Sequence, residues 1–299
     1  MNPSTNLFSL FTVIIMTANS ISAQSIDGAG RQMAQPLDAE LQSRCMEILR
    51  SGMNSEEFWP AMHAAEALTL AGAGSEVITA INDRLAVEKD DQRRCGLARE
   101  LVRAGDRTHL PLLFQTLQEQ KSTGRTHAAE SLYKLGEAGD GMLLRIAMQQ
   151  SESVPLKVMA AGALVKAGDD EAMALIRQLI KSEDRTSRNL SAWILGRHGN
   201  ESDVAPILAA MKSETDEMSL TFLAVSLACL GNSEGRSTLL SQLDSHNNTA
   251  KAMAAEFAGL SRTIESRGKL IQLLDDPVLD VRIRAAQSLI VLAKPGQAK

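Results

Sequence analysis

One short pattern repeats six times along this chain: an alanine, a leucine three residues later, and a glycine four residues after the leucine. Successive glycines from Gly72 to Gly231 lie 33, 31, 32, 31 and 32 residues apart. The six triplets are Ala65/Leu68/Gly72, Ala98/Leu101/Gly105, Ala129/Leu132/Gly136, Ala161/Leu164/Gly168, Ala192/Leu195/Gly199 and Ala224/Leu227/Gly231. A period this regular is typical of a stack of helical pairs in which each unit contacts its neighbours.

The spacing within one unit predicts a helix and its end. Counted from the glycine, the alanine is at position −7 and the leucine at −4, so both lie on one helical stripe. The glycine is expected to follow the helix, where a left-handed residue closes the last turn. A second apolar pattern, such as Val77, Ile81 and Leu85, predicts a partner helix. Neither helix can bury its stripe alone, so the pairs must stack.

The register continues beyond the last glycine. Two further steps of 31 residues reach Arg262 and Ala293, and the segment from Leu37 to Arg50 supplies a partner helix before the first triplet. We therefore predict an all-α fold, a right-handed α-solenoid of about eight helical hairpins over residues 37–294, followed by a tail at 295–299. The missing glycines are expected of a terminal unit that caps the array and turns one side to water.

The first residues read as an export signal. Leu7 to Ala18 is an apolar run broken only by hydroxyl residues, and Ile21-Ser22-Ala23 offers small residues for cleavage. The run is short for a bilayer span. We expect residues 1–23 to be a signal peptide and 24–36 a flexible linker. The protein is then exported, to the periplasm or the outside, without a stable membrane anchor after cleavage.

Composition and motifs narrow the function classes. The net charge is −5, whereas a protein that neutralises many phosphates is basic on its working face, so we predict no nucleic-acid partner. Three widely spaced cysteines form neither a disulfide framework nor a paired metal motif, and are expected to pack between helices. Nucleophile-elbow, phosphate-loop and HExxH signatures are absent from the sequence. We predict no enzymatic activity and no cofactor.

Three segments carry a resemblance to a known family: His-Ala-Ala-Glu-Ala-Leu at 63–68, His-Ala-Ala-Glu-Ser-Leu at 127–132, and the run from Asp280 to Leu289. They resemble HEAT repeats, and the short period is similar to that of the HEAT-like repeats of phycobilin lyases. The resemblance covers nearly all of residues 37–294 and implies that the second helix of each pair lines a concave surface. Its members include scaffolds, lyase subunits, a di-iron hydroxylase and DNA glycosylases, so the fold does not decide the activity.

Positions −9, −6 and −2 of the second helices lie opposite the packing stripe, on the surface that the resemblance makes concave. The side chains there are charged in the first half of the chain and become aromatic and apolar later. We predict that this column binds a partner. The predicted contact residues are His63, Glu66, Arg99, Arg103, His127, Glu130, Trp193 and Arg197.

Two His/Glu pairs, His63/Glu66 and His127/Glu130, have a spacing that points both side chains the same way, as metal ligands require. The resemblance to the di-iron hydroxylase implies adjacent His-Glu dipeptides, and this sequence contains none. The pairs are also separated by a whole intervening repeat, so they lie roughly 20 Å apart at about 10 Å per helix layer. We predict no metal site.

Arginines and tryptophans leave alternatives open. Five arginines between Arg93 and Arg107 are either a solvated face balanced by nearby carboxylates or a patch that binds an anion. Trp59 is either a wedge over the end repeat or a ligand platform. Trp193 is expected on the lining face.

The function that these observations favour is a non-catalytic scaffold that binds a protein or peptide along the concave face. The alternative is an enzyme or enzyme subunit, lyase-like or acting on an anionic carbohydrate. That alternative predicts a compact pocket around His63, Arg99 and His127.

Overall fold

The computed structural model describes residues 36–295, which form sixteen α-helices and three short 3₁₀ segments. The helices are α1 (Ala39–Met53), α2 (Phe58–Leu70), α3 (Gly74–Val87), α4 (Asp91–Ala104), α5 (Leu110–Gln118), α6 (Arg125–Leu135), α7 (Met142–Gln150), α8 (Val154–Lys166), α9 (Asp170–Leu179), α10 (Arg185–His198), α11 (Val204–Ser213), α12 (Glu217–Cys229), α13 (Ser233–Gln242), α14 (Asn248–Leu260), α15 (Arg267–Leu273) and α16 (Leu279–Leu292). The predicted all-α repeat architecture of eight helical pairs is confirmed. No helix of this described part is long and apolar enough to cross a membrane. The expected signal peptide and most of the linker lie outside the described residues.

The two helices of a pair occupy different layers. Each even-numbered helix packs against the next even-numbered one, so these eight helices form a continuous inner layer. They are buried on most of their circumference, since α8 alone buries nine of its thirteen residues. The odd-numbered helices bury one stripe only, as α3 does with Val77, Ile81 and Leu85. They therefore form the outer layer, with their polar faces in water.

The array closes on itself. The last helix, α16, packs against both α1 and α2, so the inner layer is a ring of eight helices, here called the inner ring. The contact is close: a Cβ placed on Gly52 of α1 would lie 2.7 Å from Cδ1 of Ile283 on α16. Arg44 and Asp275 form an ion pair across the same junction at 2.5 Å. The expectation that a terminal unit faces water is therefore wrong, because the first and last units cover each other.

Left-handed residues end most of the inner helices, as the glycine pattern predicts. Five of the six repeat glycines have positive φ, and Arg262 adopts φ 54° at the place where the seventh unit lacks a glycine. Gly199 differs, with φ −80° and ψ −171°. A Cβ there would lie 2.5 Å from the carbonyl oxygen of Leu195 and 2.6 Å from Oδ2 of Asp203. This glycine therefore serves close packing rather than a left-handed turn.

Small residues set the distance between inner helices. A Cβ added to Gly196 of α10 would lie 2.7 Å from Cα of Ser226 on α12, which is backbone and cannot move aside by itself. We expect Gly196→Ala to force these helices apart and to lower the free energy of unfolding by about 1–3 kcal/mol, measured by urea denaturation. Gly268→Ala is the matched control, because no heavy atom lies within 4 Å of the added Cβ. It should stay within about 1 kcal/mol of the parent. Equal losses in both variants would contradict this packing account.

Candidate functional site

The residues predicted to contact a partner all belong to the inner ring. On each inner helix, positions −9, −6 and −2 follow one another from the N-terminal to the C-terminal end. Together the eight helices therefore present three layers of side chains, stacked in the direction of the helix axes. The eight residues are His63 and Glu66 on α2, Arg99 and Arg103 on α4, His127 and Glu130 on α6, and Trp193 and Arg197 on α10. They differ in their surroundings: some are buried in ion pairs, and others line a cavity.

A buried ion-pair network begins on α4. Nε of Arg99 donates to Oε1 of Glu100 at 2.6 Å, and Nε of Arg103 donates to Oε2 of the same carboxylate at 2.8 Å. Arg103 also pairs with Glu66 of α2 at 3.2 Å. Arg99 is only 3% exposed and Glu100 is fully buried. The guanidinium of Arg99 is therefore paired inside the ring, and a partner cannot reach it.

The network continues across the junction where the ring closes. Nη1 of Arg284 on α16 lies 3.4 Å from Oε2 of Glu66, and its Nη2 lies 3.3 Å from Oε2 of Glu256 on α14. Burial alone would raise the pKa of Glu66, but the charges of Arg103, together with Lys134 and Arg284, hold it well below 4.5. The first and last units thus share a buried charge cluster.

The arginine run therefore divides between two environments. The expectation of one solvated face is wrong for Arg99, which the ring buries, and for Arg103, whose guanidinium is largely buried. The remaining three arginines pair near the surface as Arg93–Glu88, Arg94–Asp91 and Arg107–Glu137.

The two predicted histidines make separate contacts. Nδ1 of His63 lies 2.7 Å from Oδ1 of Asp280 on α16, so the Nδ1–H tautomer donates across the ring junction. His127 stacks on Trp59, with ring centroids 5.2 Å apart. Burial lowers the pKa of both imidazoles below 6.5. Within residues 36–295, no group of three or more His, Cys, Asp and Glu side chains could hold a metal ion.

Trp59 is not a wedge over an exposed end, because the closed ring has none. It spans from α2 over α4 to His127 on α6. Gly96 of α4 makes room for it, since a Cβ there would lie 3.3 Å from Cζ3 of the indole and 3.2 Å from Phe58. The indole therefore joins three consecutive inner helices.

A cavity of about 410 Å³ lies at the end of the inner ring where the C-termini of its helices meet, here called the C-terminal rim. Trp193, 8% exposed, forms part of its wall and makes an edge contact with Tyr133 at 5.0 Å between centroids. Arg197 lies over the same indole, with its guanidinium carbon 4.2 Å from the ring centroid. The lining residues are Glu66, Leu70, Arg103, Tyr133, Lys134, Lys166, Trp193, Arg197, His198, Glu256, Leu260, Gln287 and Val291.

The residues at position −2 form the rim of this cavity and divide by chemistry. Four consecutive inner helices, α4, α6, α8 and α10, supply cations, here called the cationic arc: Arg103, Lys134, Lys166 and Arg197. The helices α14, α16 and α2, also consecutive in the ring, supply the apolar arc: Leu260, Val291 and Leu70. Leu70 and Leu260 are 39% and 43% exposed, which is unusual for leucine in this chain. In a ring of eight, the two arcs face each other.

Two members of the cationic arc form no ion pair among the described residues. Nζ of Lys166 donates to the carbonyl oxygens of Tyr133 and Lys134, at 3.2 and 3.1 Å. Nη1 of Arg197 donates to the carbonyl oxygen of Trp193 at 3.2 Å. Burial lowers the pKa of Lys166, and the positive charges of Arg103 and Arg197 lower it further. Lys166 is therefore repelled by its cationic neighbours and has no ion-pair partner of its own among the described residues.

Sequence reasoning found part of this cavity. Of the predicted residues, Glu66, Arg103, Trp193 and Arg197 line it, whereas His63, Arg99, His127 and Glu130 do not. The pocket that the enzyme alternative expects around His63, Arg99 and His127 is thus not this cavity. Lys166 is at position −2 of the column but was not among the predicted contacts. Tyr133 was missed, as were Glu256 and Gln287 of the last two units. Extending the −6 and −2 positions from Arg262 and Ala293 would have found the latter two.

The ring and its cavity define the class: a helical-repeat protein with a ligand-sized opening at one end of its inner layer. The family follows from comparison with known proteins. A family model for HEAT repeats matches residues 141–220, which identifies this part of the chain as HEAT repeats.

Similar solved structures include human deoxyhypusine hydroxylase in complex with glycerol, which shares 15% sequence identity with this chain. The match covers 85% of this chain and 97% of that chain, with a TM-score of 0.42. Two engineered proteins are each 17% identical over 83% of this chain. They are covered over 78% and 96% of their own chains, with TM-scores of 0.31 and 0.25. No curated protein sequence matches this chain.

The buried charge cluster allows a test of ring closure. Arg284→Met leaves Glu66 and Glu256 without their shared cation, and we expect the free energy of unfolding to fall by about 3–5 kcal/mol in urea titrations. Arg50→Met is the control, because it breaks an ion pair with Glu76 at 2.8 Å in which both side chains are about half exposed. That loss should be much smaller, because solvent screens an exposed ion pair. Equal effects would show that closure does not bury Arg284 as described.

Stability should also depend on pH through the inner histidines. His63 and His127 have pKa values below 6.5 in the folded chain and near 6.5 when unfolded, so the unfolded state binds more protons as pH falls. We expect stability to be fully present above pH 6.5 and to decline as pH is lowered below it, followed by urea midpoints from pH 7.5 to 5.5. His63→Gln should flatten this decline, whereas His246→Gln, between helices on the surface, controls for the loss of a histidine. An unchanged slope in His63→Gln would refute the assignment.

Proposed function

We propose that this protein is a non-catalytic scaffold that binds a protein or peptide partner at the rim of the inner ring. The observation that carries the proposal is the pair of cations, Lys166 and Arg197, that have no ion-pair partner in the described chain and face the exposed Leu70 across the cavity. An exposed apolar group beside unpaired charge is typical of a binding site.

The place of binding differs from the long concave wall that the sequence suggested. Ring closure turns that wall into an interior in which Arg99 pairs with Glu100, and Glu66 pairs with Arg103 and Arg284. The C-terminal rim is what a partner can reach, because Lys166 and Leu70 are exposed there. A partner therefore engages the end of the ring with a small projecting segment.

The charge of the cavity favours a peptide over a polyanion. Its wall contains the carboxylates of Glu66 and Glu256 as well as four cations. These carboxylates oppose the closely spaced phosphates of a nucleic acid, and the chain carries a net charge of −5. We also propose, from the leader at residues 1–23, that the protein acts outside the cytoplasm.

Reversing the two unpaired charges tests the proposed site. In Lys166→Glu/Arg197→Glu, two repulsive charges replace two attractive ones at the rim, so partners captured from the cells that make this protein should bind roughly tenfold or more weakly. The measurement is quantitative mass spectrometry of proteins retained on the immobilised chain, followed by titration of the retained protein.

The matched control is Lys181→Glu/Lys212→Glu, which makes the same change of net charge at exposed positions, one after α9 and the other on α11. A partner lost from the rim variant and retained by the control supports the site. A partner that binds both variants as well as the parent would place the interaction elsewhere and reject the proposal.

A further inference from the structure

Four side chains form a continuous row in the cavity wall. Nζ of Lys166 lies 5.9 Å from the ring centroid of Tyr133, and the ring centroids of Tyr133 and Trp193 are 5.0 Å apart. Arg197 ends the row, with its guanidinium carbon 4.2 Å from the ring centroid of Trp193. The two unpaired cations thus flank one aromatic pair. Phe257 extends the apolar surface, since Arg197 also lies 4.9 Å from its ring centroid.

Two polar atoms of residues in this wall are buried without a hydrogen-bond partner: Oη of Tyr133 and Nη2 of Arg103. An unpaired buried donor destabilises the fold unless something binds it. Burial raises the pKa of Tyr133 to about 12, so its hydroxyl stays protonated and can donate. Both atoms can therefore donate a hydrogen bond to an acceptor, and the guanidinium nitrogen of Arg103 can only donate.

The opposite side of the cavity is apolar. Leu70, Leu260 and Val291 form the apolar arc, and the first two are the only exposed leucines among the described residues. A ligand that satisfies both sides needs an anionic group and an apolar group within one small molecule's length. The cavity volume of about 410 Å³ matches a ligand of that size.

The charge count favours a single negative charge. Of the four cations that line the cavity, Arg103 pairs with Glu66 and Lys134 pairs with Glu130. Lys166 and Arg197 remain for a ligand, with the carboxylate of Glu256 also in the wall. A carboxylate accepts several hydrogen bonds with one charge, whereas a doubly charged phosphate would be repelled by the two nearby glutamates.

We propose that this cavity binds the C-terminal carboxylate of a peptide whose last residue is apolar. Lys166, Arg197 and the unpartnered donors of Tyr133 and Arg103 hold the carboxylate, while the apolar arc covers the last side chain. This assignment rests on the proposed function and specifies which part of the partner enters the ring. Capture of a terminal carboxylate by converging donors is an established mode of peptide recognition.

Two libraries of N-acetylated hexapeptides with randomised positions test the assignment, one with free C-termini and one amidated. Peptides retained by the full chain are identified by mass spectrometry, and a selected free/amidated pair is titrated by calorimetry. We expect enrichment of Leu, Ile, Val, Met or Phe at the last position, and binding weaker by roughly tenfold to a hundredfold for the amide.

Two variants separate the carboxylate from the rest of the peptide. Lys166→Gln/Arg197→Gln should abolish the difference between acid and amide, and Tyr133→Phe, which removes only the unpartnered hydroxyl, should reduce it several-fold. Lys181→Gln/Lys212→Gln should keep the difference at its full size. Circular dichroism of each variant shows whether the helices remain folded.

The outcomes distinguish this assignment from the proposed function. Equal binding of acid and amide, both lost in Lys166→Glu/Arg197→Glu, overturns the carboxylate assignment and leaves the scaffold function standing. Displacement of the selected peptide by equimolar inorganic phosphate overturns the requirement for an apolar residue. Binding of laurate with no retention of any peptide overturns the peptide assignment.

Discussion

Close contact between small residues of neighbouring inner helices is the constraint on which the rest of this structure depends. Gly196 against the backbone of Ser226, and Gly259 against Ser288, bring consecutive helices nearer than any larger side chain permits. At the junction, Gly52 of the outer helix α1 likewise leaves room for the side chain of Ile283 on α16. Because every unit repeats nearly the same step, the curvature adds up in one direction until the last unit meets the first. Closure follows from the regularity of the repeat, without a separate closing element.

Closure changes the chemistry of the inner layer. In an open array, the charged residues of the −9 and −6 positions would be solvated and free to contact a partner. In the ring they are desolvated, so each must be paired within the protein, because an isolated buried charge is far less stable than a paired one. Glu66 shows this most clearly, since it lies between Arg103 from its neighbour on one side and Arg284 from its neighbour on the other. The charged half of the column therefore holds neighbouring units together through ion pairs. One of these ion pairs, between Glu66 and Arg284, crosses the junction.

The sequence predicted the local structure well because local structure depends on neighbours a few residues apart. The Ala/Leu/Gly spacing located the inner helices, and the glycines located most of their ends, even where Arg262 takes the left-handed conformation in place of glycine. Closure was missed because it depends on a small rotation summed over eight units, which no short segment encodes. Because closure was missed, Arg99 and His63 were assigned to a surface. Arg284 and Glu256 were left out because the column was read only as far as Gly231. Trp193 and Arg197 were placed correctly on the lining because their burial does not depend on the junction.

The cations of the rim have a competing explanation in the helices themselves. The C-terminal end of a helix carries partial negative charge, and a Lys or Arg in the last turn stabilises it by a few tenths to about 1 kcal/mol. Lys166 does donate to the last carbonyls of α6. That effect applies equally to all eight inner helices, however, and three of them end instead with Leu70, Leu260 and Val291 at the same position. A requirement of the helix ends would distribute cations around the ring, whereas here they lie on one side only. The segregation of charge from apolar surface therefore needs a cause outside the helix, and a ligand with one charged and one apolar end supplies it.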